Sequence, residues 1–258
     1  MRTHPLPDPN VERRAWGYGL PISGYMRDAF ARRARLVPAL YTANHAFETS
    51  SVAALHPLCE TKTAPTIAPS LATPHTAGPC CPDYDHAELA GAYEHTDTYV
   101  FCDGLLVAPI TTAQDNVTQL SSRQAWIPPG RWYDVVGGTE AGVSSAETSD
   151  GTSVALSATL FEVPVFAKGG TMLPLAPTAG DSIGVGSDTS TQPMLGSAAR
   201  EPELMTWEVF GVGATETGSG HLWEDSRGST NASFSLTGGG KTLELRITQP
   251  GDKRRHLF

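Results

Sequence analysis

Two apolar segments separated by a polar stretch constrain this chain more than any other feature. The first runs Cys102-Asp-Gly-Leu-Leu-Val-Ala-Pro-Ile110, and the second runs Trp126-Ile-Pro-Pro-Gly-Arg-Trp-Tyr-Asp134. Pro109 closes the first, and Pro128-Pro129-Gly130 interrupts the second between two tryptophan-anchored pieces. Short apolar runs bounded by proline and glycine predict buried strands joined by turns.

Strand-and-turn patterns continue through most of the chain. Apolar segments at residues 99–110, 124–136, 160–168 and 204–210 predict an antiparallel β-sandwich. Further short segments at 221–225, 232–236 and 243–247 indicate a second, partial β module. Only residues 25–47 carry a clear helical period; Ser23 is its expected N-cap, and Pro38 is expected to kink the helix or divide it in two.

Composition narrows the classes of function. The 258 residues include 18 basic and 27 acidic side chains, a formal charge of −9, which argues against a nucleic acid or an anionic membrane as partner. No apolar run approaches the ~20 residues that cross a bilayer, and nothing at the N-terminus resembles a signal peptide, so the compartment stays open. The four cysteines have no zinc-site spacing, and we expect neither a metal nor another cofactor.

Seven motifs occur in the same order as in one known family. They are Arg2-Thr3-His4, Glu12-Arg-Arg-Ala-Trp16, Arg33-Ala-Arg-Leu-Val-Pro-Ala-Leu-Tyr-Thr42, His56-Pro57-Leu58, the two segments described first, and Pro164-Val-Phe-Ala-Lys-Gly-Gly-Thr-Met-Leu-Pro-Leu175. Together they resemble the C-terminal portion of glycoside hydrolase family 31, the α-glucosidases and α-xylosidases. Ala15, Ala39 and His56 depart from the family pattern, which has a proline, an aromatic residue and an arginine there.

The resemblance implies a mainly β fold with an N-terminal helical remnant of a (β/α)8 barrel. Residues 1–55 would end the barrel, 56–177 would form the proximal sandwich with a low-complexity insertion at 61–82, 178–202 would be a linker, and 203–258 would begin a distal β-sandwich. The sandwich would brace the barrel with the apolar faces of residues 99–110 and 161–166.

The resemblance also implies two sugar contacts. His4 would hydrogen-bond the sugar at the cleavage subsite, and Arg2 would lie beside the catalytic carboxylates. The two family aspartates, nucleophile and proton donor, belong to motifs that this sequence does not contain, so no catalytic residue is assigned and the chain alone is expected to be inactive. The expected partner is an α-linked oligosaccharide or glycoside bound by the intact enzyme.

A second interpretation is a free-standing β-sandwich that binds carbohydrate or serves as a structural module. Its marker would be exposed aromatic side chains, with Trp126, Trp132, Tyr133, Trp207 and Trp223 as the candidates. Tryptophan and tyrosine are also frequent core residues, and the core is the expected place for these five. Asp83-Tyr-Asp-His86 is interpreted as a solvated polar loop in preference to a metal cluster.

Overall fold

The structure is a computed structural model, and it describes residues 15–50, 53–58, 91, 94–95, 97–102, 104–144, 151–176, 204–212, 217–225, 227–238, 240, 242–249 and 255–257. A short 3₁₀ helix, Ala15–Tyr18, precedes helices α1 (Ile22–Arg35) and α2 (Val37–Ser50). The rest is mainly β. The strands, in chain order, are β1 (Leu55–Pro57), β2 (Tyr99–Phe101), β3 (Leu105–Val107), β4 (Ser121–Ile127), β5 (Gly130–Asp134), β6 (Glu140–Ser144), β7 (Thr152–Ala158), β8 (Val165–Lys168), β9 (Met172–Leu175), β10 (Leu204–Val209), β11 (Thr217–Glu224), β12 (Gly228–Thr237), β13 (Thr242–Thr248) and β14 (Arg255–Leu257).

The helical segment divides where proline predicts. α1 ends at Arg35 and α2 begins at Val37, so Pro38 lies in the first turn of α2. Backbone N–H groups in the first turn of a helix have no partner within that helix, so proline, which lacks an N–H, is tolerated there. The prediction of two shorter pieces is confirmed. Ser23 as N-cap is wrong: α1 already begins at Ile22, and the backbone N–H of Ser23 donates to the Gly19 carbonyl within the first turn.

A six-stranded sheet of order β1-β2-β3-β8-β5-β6 forms the centre of the fold. The hairpin of β2 and β3 pairs Phe101 with Leu105, and Gly104 of the predicted turn lies between these strands; Asp103 lies outside the described residues. Gly104 takes a φ of +91°, which an L side chain rarely adopts. All three residues of β3 are buried, and this explains why a continuous apolar run was needed there.

Each face of the six-stranded sheet has its own core. Leu106, Trp132 and Phe166 pack on one face with Trp126 and Ile127 of the two-stranded sheet formed by β4 and β7. Their chain neighbours Leu105, Tyr133 and Ala167 pack on the other face, where Ala39 and Ala43 of α2 and Leu173 and Leu175 of β9 cover them. The sheet is therefore covered on both sides, by strands on one and by a helix and a strand on the other.

The turn at Pro128-Pro129 carries the chain from one sheet to another. β4 pairs with β7, whereas β5 pairs with β6 and β8, so the two tryptophan-anchored pieces are not a hairpin. Trp126 and Trp132 nevertheless share one core, and the indole N–H of Trp132 donates to the Pro128 carbonyl at 3.0 Å. The turn thus folds both tryptophans toward the space between the two sheets.

Arg123 of β4 binds the loops at the end of this core. Its side chain is only 8% exposed and donates to the Pro109 carbonyl at 2.6 Å, to Asp97 at 2.7 Å and to the Thr98 hydroxyl at 3.0 Å. Several donors in a fixed planar arrangement suit this task, and lysine could not supply them. The guanidinium therefore joins β4 to the residues on either side of the hairpin of β2 and β3.

Two three-stranded sheets, β14-β10-β9 and β11-β12-β13, complete the described fold. Met205 and Trp207 of β10 and Met172 of β9 pack with Leu222, Ala232 and Phe234. β9 and β10, which stand on either side of the predicted linker at 178–202, pair antiparallel, with Trp207 opposite Pro174. The linker and the insertion at 61–82 lie outside the described residues, and the domain boundaries stay predictions.

Burial of Glu208 in β10 leads to a pH-dependent prediction. Desolvation raises the pKa of this carboxyl above its ordinary value of 4.5, against a smaller opposing effect of the Arg35 guanidinium. A raised folded-state pKa stabilises the fold at low pH, and that stability is lost as the pH rises through the raised value. We expect Glu208→Gln to have a larger free energy of unfolding than the wild type at neutral pH. The difference between the two proteins should shrink when the pH falls below 4.5, the ordinary pKa of the carboxyl. Urea unfolding of both proteins at neutral pH and at a pH below 4.5 measures this difference in stability. A difference that is the same at both pH values would contradict the prediction.

Within the described part of the chain, neither helix is long and apolar enough to span a membrane.

Candidate functional site

The two sugar contacts implied by the resemblance, Arg2 and His4, lie outside the described residues. The described structure begins thirteen positions after Arg2, at the 3₁₀ helix Ala15–Tyr18. Both roles therefore stay predictions. What the structure does describe is the surface that the adjoining helical segment presents.

The segment from Trp16 to Phe30 leaves large apolar side chains in solvent. No residue of α1 is buried, and Trp16 and Leu20 are 74% and 87% exposed. Tyr18, Ile22 and Phe30 are exposed as well. A run of exposed aromatic and aliphatic side chains is unusual on the surface of a soluble domain and marks an interaction site.

The loop between β7 and β8 continues this apolar surface. Leu160 is 70% exposed, and Phe161 and Val163 are exposed beside it. Phe161 stacks on Tyr25 of α1 with ring centroids 4.6 Å apart, which joins the loop to the helix. We name Trp16, Leu20, Leu160, Phe161 and Val163 the helix–loop surface.

Two sequence predictions about this region differ from the structure. One placed the apolar loop residues in a strand, and the other placed the barrel-facing surface on residues 99–110 as well as on 161–166. Residues 160–168 were expected to be one strand, but β8 begins only at Val165, directly after Pro164, which lacks the N–H that a ladder needs. The segment 99–110 was expected to cover a barrel, yet Val100 and Leu105 to Ala108 are buried within the chain itself. Pro164 was the signal that could have separated the loop from the strand.

A local hydrogen-bond arrangement shapes the same loop. The carboxylate of Glu162 accepts from the backbone N–H of Thr159 at 2.9 Å and from its hydroxyl at 2.7 Å. These bonds, with a smaller attraction from Arg32, hold the pKa of Glu162 below its ordinary value. The ionised carboxylate closes the turn, which presents Leu160 and Phe161 outward.

Helix α2 is joined directly to β11. The Tyr41 hydroxyl donates to Asp225 at 2.6 Å, the Trp223 backbone N–H donates to the Thr42 hydroxyl at 2.9 Å, and the His45 ring stacks on Trp223 at 3.8 Å. The acidic pair of the segment 221–225 was expected to make turn hydrogen bonds. The Glu224 carboxylate lies 3.7 Å from the Arg227 guanidinium, whereas the Asp225 carboxylate accepts from the Tyr41 hydroxyl of α2 and so bonds the helix.

The aromatic candidates for sugar stacking occupy the core. Trp126, Trp132, Tyr133 and Trp207 are buried, which confirms the expectation of core residues for these four. Trp223 is half-buried, and one face of its indole is taken by His45. Four of the five candidates are therefore core residues, and Trp223 has one ring face covered by His45.

Among the described ranges, no group of three or more His, Cys, Asp or Glu side chains could hold a metal ion. The segment Asp83–His86 lies outside those ranges. Of the four cysteines the structure describes Cys102 alone, and this residue is buried.

Residues 79–173 match the family model of the glycosyl hydrolase family 31 C-terminal domain. These residues resemble the C-terminal domain of family 31 enzymes. The matched range includes β2 to β8 and therefore the centre of the six-stranded sheet. No sequence among curated proteins matches the chain.

Solved enzymes that act on carbohydrates, two of them from glycoside hydrolase family 31, share the fold far beyond the matched residues. A dextranase from Flavobacterium johnsoniae complexed with isomaltotriose is similar over 96% of this chain, with a TM-score of 0.61 and 13% identity. The cycloalternan-forming enzyme of Listeria monocytogenes, in complex with a pentasaccharide substrate, covers 93% with a TM-score of 0.65 and 18% identity. An α-xylosidase from Xanthomonas citri covers 93% with a TM-score of 0.60 and 17% identity.

The chain spans only part of each of these enzymes. It covers 26% of the dextranase, 19% of the cycloalternan-forming enzyme and 22% of the α-xylosidase. The likeness thus extends from the matched residues 79–173 to the flanking helices and the later strands as a shared fold.

Proposed function

We propose that this chain works as the C-terminal part of a retaining α-glycoside hydrolase of family 31, α-glucosidase-like in its reaction. The observation that carries the proposal is the helix–loop surface, an exposed apolar area on a chain that covers 19–26% of similar glycosidases. A catalytic barrel packed on Trp16, Leu20 and the 159–164 loop would remove that area from water. Removal of exposed apolar side chains from water stabilises a contact between two domains.

In this proposal the chain contributes sugar contacts and support, and the barrel contributes the chemistry. A retaining glycosidase needs one carboxylate to attack the anomeric carbon and a second to protonate the leaving oxygen, roughly 5–5.5 Å apart. The family motifs for both are missing from this sequence. Arg2 would keep the nucleophile ionised, His4 would donate to a sugar hydroxyl, and the chain alone would not turn over.

The structure of the helical segment supports the role of a brace. α2 packs on the six-stranded sheet through Ala39 and Ala43 and is joined to β11 through Tyr41 and Thr42. α1 is joined more lightly, by the Tyr25 ring on Phe161 and by mutual bonds between Arg35 and the Ala176 backbone. A barrel resting on α1 would therefore be held to both β regions through the helix pair.

The alternative, a free-standing carbohydrate-binding or structural sandwich, is disfavoured by the burial of its candidate aromatics. Hydrolysis of para-nitrophenyl α-glucoside and α-xyloside separates the two. We expect turnover from a form extended upstream through a barrel and none from the 258-residue chain. Turnover by this chain itself would contradict the proposal, because carboxylates outside the family motifs would then do the chemistry.

Charged substitutions on the helix–loop surface test the packing. In the barrel-containing form, Leu160→Asp is expected to lower kcat/KM at least about tenfold, because a carboxylate would be buried against the barrel. Val117→Asp is the matched control: Val117 is 89% exposed, its backbone N–H donates to Asp115, and it is not one of the five residues that define this surface. In the 258-residue chain neither change should alter the melting temperature. Equal activity of both variants would contradict the packing.

A further inference from the structure

Strand β13 is the outer strand of its sheet, and one of its two faces carries apolar side chains. It lies at the end of the sheet β11-β12-β13, and within the described residues no strand pairs with its other edge. Leu243 and Leu245 are exposed, while Ile247, on the same face, packs on the core of Met205 and Trp207. An edge strand of this kind is a template for pairing with another chain.

The apolar face of β13 continues into β12. Across the ladder, Leu243 lies opposite Leu236, Leu245 opposite Phe234 and Ile247 opposite Ala232. Phe234 and Ala232 are buried under β9 and β10, whereas the leucines at 243 and 245 extend past that cover. An added strand would extend the sheet and would cover these leucines at its edge.

The other face of β13 carries one acidic and one basic side chain. Glu244 and Arg246 alternate with the leucines and point to the side of Ser233 and Ser235, their cross-strand partners in reverse order. Their charged groups are 3.0 Å apart, and both side chains are more than half exposed. They are available to a partner strand.

The strand Thr242-Leu-Glu-Leu-Arg-Ile-Thr248 is complementary to itself in the antiparallel direction. When two copies meet with Leu245 opposite Leu245, each Glu244 faces an Arg246 and each Leu243 faces an Ile247. Opposite charges directly across a ladder stabilise it, and like charges destabilise it. Moving the pairing centre to position 244 or 246 places glutamate on glutamate or arginine on arginine. Only the centre at 245 satisfies both faces.

We propose that a second copy of this chain pairs antiparallel with β13, with a two-fold axis at Leu245. The two sheets then become one six-stranded sheet across an isologous interface, in which the same surface is used twice. Leu243, Leu245 and Ile247 of the two strands form the apolar side, and two Glu244–Arg246 pairs form the polar side. This inference is independent of the proposed glycosidase role.

Sedimentation analysis of charge variants tests the pairing. The wild type is expected to dimerise with rising concentration. Glu244→Arg and Arg246→Glu should each weaken the dimer at least about tenfold, since each places like charges opposite one another. The double variant, which exchanges the two charges, should restore it. A monomeric wild type, or a dimer that is unchanged in the single variants, would overturn the proposal.

Cross-linking locates the two-fold axis. In a background with Cys59, Cys80 and Cys81 replaced by serine, Leu245→Cys should yield a covalent dimer with a thiol cross-linker that spans about 8 Å, because directly opposite Cβ atoms lie roughly 4.5–5.5 Å apart. Thr242→Cys is the matched control, since two such residues would be about 20 Å apart in this register. Efficient cross-linking through position 242, or none through 245, would contradict the axis.

Discussion

Replacing Trp132 by alanine is expected to lower the free energy of unfolding by about 3–5 kcal/mol. The indole is 1% exposed, at the centre of the core between the six-stranded sheet and the sheet of β4 and β7. Its removal leaves a large cavity and also leaves the Pro128 carbonyl without the indole N–H that it accepts. The variant loses both packing contacts and a buried hydrogen bond, and neither loss can be recovered by small shifts of the neighbouring side chains.

Trp16→Ala is the control for this effect. Trp16 is 74% exposed, so the same change of side chain should alter the stability of the 258-residue chain by less than about 0.5 kcal/mol. Urea unfolding followed by circular dichroism gives both values. Similar values for the two variants would contradict the packing described for the core.

Gly220→Ala is expected to destabilise the fold by about 3 kcal/mol. Gly220 lies in β11, where a Cβ would overlap the carbonyl oxygen and the side chain of Met172 in β9. Gly218, two residues before it, meets Gly170 in the same way, and a bridge between Thr171 and Ser219 runs between them. Two backbones approach closely here, and neither can move away without breaking its own ladder.

Gly24→Ala is the matched control for the glycine variant. Gly24 lies in α1 with nothing near the position of a Cβ, and alanine has the higher helix propensity. The control should therefore raise stability by roughly 0.5–1 kcal/mol. Thermal unfolding of the two variants beside the wild type checks the opposite signs, and a loss in both would show that the contact with β9 is not the cause.

Patterns within one element were readable from the sequence. Leu105-Leu106-Val107 had to be a strand covered on both faces, because a continuous apolar run leaves no side for water, and both cores confirm it. Pro38 had to interrupt a long helix, since it lacks the N–H of the ladder. The order of motifs indicated family 31, and the matched domain at residues 79–173 confirms that resemblance.

Strands with a weak hydrophobic pattern were not predicted from the sequence. β6 and β7 were missed, although β7 alternates half-buried with exposed residues, because alanine and serine give little hydrophobic contrast. The proline-rich turn was expected between two strands and is found there. Nothing local, however, indicated that the strands on either side belong to different sheets.

The sequence by itself determined the β class, the two tryptophan-anchored strands and the resemblance to family 31, because each depends on residues that are close together in the chain. Only the tertiary structure decided which apolar residues are covered. Leu106 and Leu160 are equally apolar as sequence, yet one is wholly buried and the other largely exposed. Burial depends on which distant elements pack over a residue, and the contacts of α2 with β11 and of β9 with β10 join segments far apart in the chain.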